Sequence, residues 1–157
     1  MLGNDGEALP TAAKEIPPEL QGLRMTKQRR EVYSVLLHNR DHPTANEVFG
    51  RVQADMPSIS LATVYNCLDA LVDHGLINRV NFEREPSRFC VNLTPHVHFQ
   101  DKKSGVIHDL SFKDGCQITD VLDLPNGTEV SELELTIRNY DEMREHLVGT
   151  EYERFLA

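Results

Sequence analysis

Between Ser58 and Gly75, apolar residues return at helical spacing: Leu61, Val64, Tyr65, Leu68, Leu71 and Val72 fall on one stripe. Ser60 stands where an N-cap hydroxyl accepts from the first free amides, and Gly75 where a chain leaves a helix in the left-handed conformation. The opposite face carries Ser60, Ala62, Thr63, Asn66 and Asp69. Two earlier stretches share the period. Thr26 can cap a helix that turns Val32, Tyr33, Leu36 and Leu37 inward, and Thr44-Ala-Asn-Glu47 is a capping box. It opens a helix with Val48, Phe49 and Val52 buried, closed before Pro57. Past Gly75 the pattern becomes strand-like. Residues 76–80 and 88–91 are two such runs joined by residues 81–87, which predicts a hairpin.

Helix, short loop and helix, followed by a hairpin, is the organisation of a winged helix-turn-helix. In that arrangement the stretch from Ser58 to Gly75 is the recognition helix. Its short polar side chains suit base edges, because Thr and Asn hydrogen-bond there and Ala or a Tyr ring can touch a thymine methyl. Thr63, Tyr65 and Asn66 are the candidate base contacts, with Ser60 beside them. Lys27, Arg29 and Arg30 crowd the first turn of their helix, where cations oppose the macrodipole and a phosphate backbone would supply their partner. In the hairpin, Arg79, Arg84 and Arg88 can reach a flanking backbone or minor groove; Arg84 is the candidate contact.

Pro95 marks a boundary. Residues 97–112 and 128–138 read as strands enclosing a helix near Gly115–Leu124, with a turn at Gly105 and a second at Asn126-Gly127. Leu133, Leu135 and Ile137 alternate with Glu132, Glu134 and Thr136, the pattern of a half-buried strand. So small a sheet buries too little to stand alone, and pairing with a second copy completes it. The expected fold is therefore α+β: a winged-helix DNA-binding domain at 20–92 followed by a small α/β dimerisation domain at 93–138. A two-fold dimer sets two recognition helices about one DNA turn apart, which implies a palindromic operator in double-stranded DNA. Residues 1–19, with Gly3, Gly6, Pro10, Pro17 and Pro18, read as a flexible arm. Residues 139–157 read as an acidic helical tail with Tyr140, Met143 and Leu147 on one face.

Composition refines this picture. The chain has 157 residues, 39% apolar, enough for one mid-sized domain or two small ones. It holds no run of about 18 apolar residues and no basic-then-apolar leader, so the expected location is the cytoplasm with no membrane contact. The net charge of −9 looks wrong for a nucleic-acid binder until it is divided. Residues 20–92 carry nine Lys/Arg against eight Asp/Glu, whereas residues 93–157 carry six against thirteen. The near-neutral half can turn its arginines to phosphates. Three cysteines, Cys67, Cys90 and Cys116, form no C-x-x-C pair, which argues against a disulfide framework and against the commonest structural zinc site.

A second constellation is Cys90, His96-Val-His98 and His108-Asp109. Residues two apart on a strand point to the same side, so His96 and His98 can converge on one ion. Neutral imidazoles with a carboxylate or thiolate suit iron, zinc, manganese or nickel. Taken alone, His-x-His is equally compatible with ordinary buried or surface histidines.

Gly22-Leu-Arg-Met-Thr-Lys-Gln-Arg-Arg30, Ser60-Leu-Ala-Thr-Val-Tyr65, Gly75-Leu76 and His96-Val-His98 together resemble the ferric uptake regulator family over about residues 22–138. The resemblance implies a dimeric winged-helix repressor, not an enzyme, controlling iron homeostasis or oxidative-stress genes. Its regulatory divalent metal, Fe2+, Mn2+ or Zn2+, would sit at a hinge formed by His42, Cys90, His96, His98 and Asp109. Three departures from the family pattern matter. Where a zinc-holding C-x-x-C would follow His-x-His, this chain has Asp101-Lys-Lys-Ser104, so no structural zinc is expected. Pro95 and Val97 stand where a further metal site often has ligands. Cys90 replaces the usual Asp or Glu, and a thiolate there would favour softer or borderline ions and offer an oxidisable group. Rival readings are a peroxide sensor using oxidation of a metal ligand such as His42 or His96, or of Cys90; a haem-responsive regulator; and, remotely, a mononuclear metal hydrolase with Asp109 or His108 as base.

Overall fold

The computed structural model describes residues 13–129 and 135–139. The chain divides into two compact units, Met1–Leu93 and Thr94–Ala157.

The first unit opens with a short 3-10 turn at Ala13–Glu15 and a hairpin of strands β1 (Glu19–Leu20) and β2 (Leu23–Arg24). Gln21 and Gly22 both have positive φ, 48° and 74°, the geometry of a two-residue hairpin turn whose twist matches its strands. Three helices follow: α1 (Lys27–His38), α2 (Ala45–Val52) and α3 (Leu61–Asp73). Each begins where its cap predicts. The side chains of Thr26, Thr44 and Ser60 accept from the backbone amides of Arg29, Glu47 and Thr63, and the Thr44–Glu47 box is closed in both directions. At the far end of α3, Gly75 donates to Val72 O and Leu76 to Leu71 O, a Schellman closure that Gly75 permits at φ 68°.

One hydrophobic cluster unites these elements: Val32 and Leu36 of α1, Val48 and Val52 of α2, and Val64, Leu68 and Leu71 of α3. Burying such a side chain stabilises the fold by roughly 1.5–3 kcal/mol, so the three stripes fix how the helices pack. Ile16, 2% exposed, belongs to the same core, so the end of the expected flexible arm is packed structure; residues 1–12 lie outside the described part. Tyr65 leaves the apolar stripe and is 46% exposed, while Cys67 takes a core position on α3. The hairpin follows as β3 (Asn78–Val80) paired antiparallel with β4 (Arg88–Cys90), Arg79 opposite Phe89. Its apolar anchor is Phe89, in the core.

In the second unit, β5 (His96–Asp101) lies between β6 (Ile107–Ser111), antiparallel, and β7 (Thr136–Asn139), parallel. The expected turn falls at Gly105, φ 73°. Asp101 closes it: its carboxylate accepts from the Lys103 amide at 3.0 Å and the Ser104 hydroxyl at 2.8 Å. The helix expected near Gly115–Leu124 is instead a four-residue 3-10 turn, Ile118–Val121. The reason is local: Gly115 is left-handed at φ 75°, Leu122 is extended, and Pro125 forbids continuation, leaving less than two turns for a helix. Of the expected 128–138 strand, residues 130–134 lie outside the described part, as does the 140–157 portion of the tail. Val97 and Ile107 are buried, whereas Leu110, Leu135 and Ile137 are 40%, 39% and 43% exposed, apolar side chains open to solvent in the single chain.

Candidate nucleic-acid interface and metal centre

The recognition candidate presents a polar face with local order. Ser60 Oγ accepts from the Thr63 amide at 3.1 Å and shares a 2.8 Å hydrogen bond with Thr63 Oγ1. Ser60 thus caps the helix with Thr63 beside it, and Tyr65 and Asn66 are exposed side chains on the next turn. Asp69, on the same face, is paired with Arg79 of β3, whose guanidinium carbon lies 5.9 Å from the Phe89 ring centroid. Helix and wing therefore share an ion pair, and Arg79 is engaged inside the unit. A groove of about 280 Å3 lined by Asn46, Tyr65, Asp69, Arg79 and Ser87 runs between α2, α3 and the hairpin.

Arg84 sits at the tip of the hairpin with its side chain 91% exposed and its backbone left-handed at φ 61°. Of the α1 cations, Lys27 is exposed; Arg29 donates to Arg24 O at 2.8 Å and so ties α1 to β2. Lys27 and Arg30 line a cleft of about 550 Å3 together with Lys14 and Arg24. Lys14 and Arg24 were not singled out by pattern reading. The available signal was Leu20-Gln-Gly-Leu23, a hairpin that folds Arg24 back beside the α1 N-terminus. Arg88 is turned inward, donating to the His42 carbonyl at 3.0 Å.

Each unit also gathers metal-ligand chemistry. In the second, register does the placing: His98 is directly opposite Asp109, and His96 lies two residues away on the same face. His96 Nε2 and His98 Nε2 are 3.1 Å apart, and each is 3.5 Å from Asp109 Oδ1. The His96 and His98 side chains are 5% and 13% exposed. His96 Nδ1 donates to Thr94 O at 2.6 Å, because a carbonyl can only accept. In the neutral ring Nε2 then holds the lone pair. His108, by contrast, stacks near Phe99 at 6.3 Å between ring centroids, on the other face of the strand.

In the first unit, His42 and Cys90 are both buried, with an imidazole nitrogen and Sγ within 4.8 Å. They meet because residues 41–44 are pinned beside β4. Phe89 donates to Pro43 O at 3.0 Å, Thr44 bridges to Arg88, and Asp41 receives both Arg51 amino groups at 2.9 and 2.6 Å. That bidentate hydrogen bond holds the Asp41 carboxyl below the ordinary carboxylate range. Burial pushes the Cys67 thiol up, which keeps it protonated within the core, and Cys116 is exposed.

Two imidazoles and a carboxylate in one unit, and an imidazole and a thiol in the other, are donor sets that suit a borderline divalent ion. The fold and these donors define a winged-helix protein with metal-ligand chemistry. The chain belongs to the ferric uptake regulator family, whose model matches residues 20–138. Among relatives, it is 34% identical over 91 residues to the peroxide-responsive repressor of Staphylococcus aureus, covering 58% of this chain. The chain thus spans 62% of the length of that relative. Among solved structures it is similar to a zinc-bound manganese uptake regulator, with TM-score 0.62 and 27% identity over 82% of this chain and 97% of that one. It is also similar to the Campylobacter jejuni peroxide stress regulator, with TM-score 0.62 and 32% identity over 71% of this chain and 84% of that one. Among the described residues no helix is long and apolar enough to cross a membrane.

Proposed function

We propose that this protein is a homodimeric, metal-dependent transcriptional repressor that binds a palindromic operator when one divalent ion is held by His42, Cys90, His96, His98 and Asp109. The observation that carries the reading is the pairing of a recognition helix, with Tyr65 and Asn66 exposed, with the His96–His98–Asp109 cluster. A bound Fe2+, Mn2+ or Zn2+ would supply positive charge at which these donors converge. Its ligands come from both units, so binding would favour whichever arrangement of the units lets all of them reach it. Occupancy is thereby linked to DNA affinity through differential binding to that arrangement. Thr63, Tyr65 and Asn66 would read bases, with Ser60 beside them, while Lys27, Arg29, Arg30 and Arg84 would face phosphates. The open apolar side chains Leu110, Leu135 and Ile137 support pairing of two copies through the second unit.

Tyr65→Ala should cost about 1–3 kcal/mol on operator DNA and relax preference at one base position. Arg84→Ala should weaken all sequences alike and reduce the salt slope by about 1. Anisotropy titrations of operator and scrambled duplexes at several salt concentrations separate the two. Unchanged operator preference in Tyr65→Ala would remove that side chain from the reading surface.

The similarity to two peroxide-responsive proteins supports a second reading, in which oxidation of a metal ligand or of Cys90 releases DNA. Peroxide should then inactivate the iron-loaded protein faster than the manganese-loaded one if a ligand is oxidised through the metal. Equal rates, abolished by Cys90→Ser, would assign the chemistry to the thiol.

A further inference from the structure

His42 adopts φ 55°, the left-handed region that residues with a Cβ enter uncommonly. The contacts around this turn come from β4 and α2, beside the single Thr44–Arg88 bridge. The Arg88 guanidinium donates from Nη1 to the His42 carbonyl at 3.0 Å, and the same nitrogen lies 3.7 Å from Glu47 Oε2. Glu47 is itself fixed, because that oxygen accepts the Thr44 amide at 2.7 Å within the capping box of α2. Arg88 also lies two residues before Cys90 on β4, and Phe89 between them donates to Pro43 O. Strand, turn and helix start thus form one hydrogen-bonded unit around the buried pair His42 and Cys90.

We propose that Arg88 is a positioning residue for the metal site: anchored by Glu47, it holds the His42 turn in its left-handed form so that imidazole and thiol face the same ion. This rests on the metal-dependent reading and specifies how the first unit presents its ligands. It also gives the wing a stake in metal affinity. Arg88 pairs across the hairpin with Val80, so anything that stiffens the β3–β4 hairpin steadies the grip on His42. By reciprocity, an operator duplex that engages the hairpin should tighten metal binding only when Arg88 is present.

Cobalt(II) added to metal-stripped, full-length protein tests this without reference to DNA, through its ligand-field bands and its thiolate charge-transfer absorption. Arg88→Met should weaken cobalt binding by about tenfold, the lower end of what loss of an outer-shell partner costs. At saturating cobalt it should also diminish the charge-transfer band while the metal-free melting curve keeps its midpoint. Arg88→Lys, which keeps one donor to the His42 carbonyl, should restore part of both. Glu47→Gln keeps the capping box, because Gln accepts the same amide, yet loses the charged anchor, and should fall between.

Wild-type affinity and an undiminished band in Arg88→Met would overturn the proposal. If Arg88→Met lowers the metal-free melting midpoint, Glu47→Gln decides in its place: wild-type cobalt affinity and band in that variant overturn it equally. His42→Ala and Cys90→Ser separate this from failure of the underlying reading. Weakened cobalt binding in both, with Arg88 variants unaffected, rejects only the positioning role, whereas wild-type binding in both rejects the first unit as a source of ligands.

Discussion

The two donor sets are built by opposite means. In the second unit, regular strand geometry is sufficient: a period of two puts His96 and His98 on one face, and antiparallel register sets Asp109 opposite His98. In the first unit a single isolated antiparallel bridge, Thr44 to Arg88, is the regular part of what brings His42 towards Cys90. The turn is left-handed at His42 and held by Arg51 on Asp41, Arg88 on the His42 carbonyl and Phe89 on Pro43. One set is a property of a sheet and should persist whenever the sheet does. The other rests on one isolated bridge, one backbone hydrogen bond and a few side-chain contacts, and can be loosened one contact at a time. The proposed metal gating would draw on that asymmetry, the sheet-built set retaining an ion while the turn-built set is completed conditionally.

The largest effect should come from removing a proposed ligand of the sheet-built set. His98→Ala removes a donor 3.1 Å from His96 Nε2 and should lower metal affinity by more than the ~10–100-fold typical of losing an outer-shell partner. Calorimetric titration with Mn2+ or Zn2+ measures this. His42→Ala should weaken binding less, leaving His96, His98 and Asp109 as a residual site; equal losses would erase the distinction between the sets.

Next in size is backbone strain at the second unit's turn. Gly105 has φ 73°, with open space around an added Cβ, so Gly105→Ala meets only the left-handed penalty of about 1–2 kcal/mol. Thermal unfolding should show that loss, and metal affinity should follow only if the β5–β6 register shifts.

The smallest effect concerns Asp41. Its folded carboxyl lies below the ordinary range because Arg51 hydrogen-bonds it, so its contribution is present above the unfolded pKa and fades as pH falls through the folded one. The pair is half-exposed and the gain correspondingly modest. Asp41→Asn should melt slightly below wild type at neutral pH, and the two curves should converge in acid below the normal carboxylate range. A gap that persists there would show that charge is not what Asp41 contributes.

This contrast also explains what the amino-acid sequence made legible. Caps and apolar period placed all three helices, since Thr26, Thr44 and Ser60 act through neighbours three residues away. His96 and His98 were visible for the same reason. His42 was reached only through family resemblance, because the residues it meets lie on β4, far along the chain. Nor could the pattern tell which wing arginines face inward: Arg79 and Arg88 turn to Asp69 and His42, whereas Arg84, beside Glu83, is exposed at the tip. The parallel pairing of β7 with β5 is likewise a tertiary fact that no local period encodes. The Gly115–Leu124 stretch misled because apolar spacing suggested a helix while its flanking Gly115 and Pro125 left too few residues to sustain one.

The most direct test of metal gating is fluorescence anisotropy of a palindromic duplex with metal-stripped protein, titrated anaerobically with Fe2+, Mn2+ and Zn2+ at fixed salt. The account predicts weak binding by the stripped protein and tight binding on addition of at least one of these ions. Equally tight binding before and after metal would contradict it.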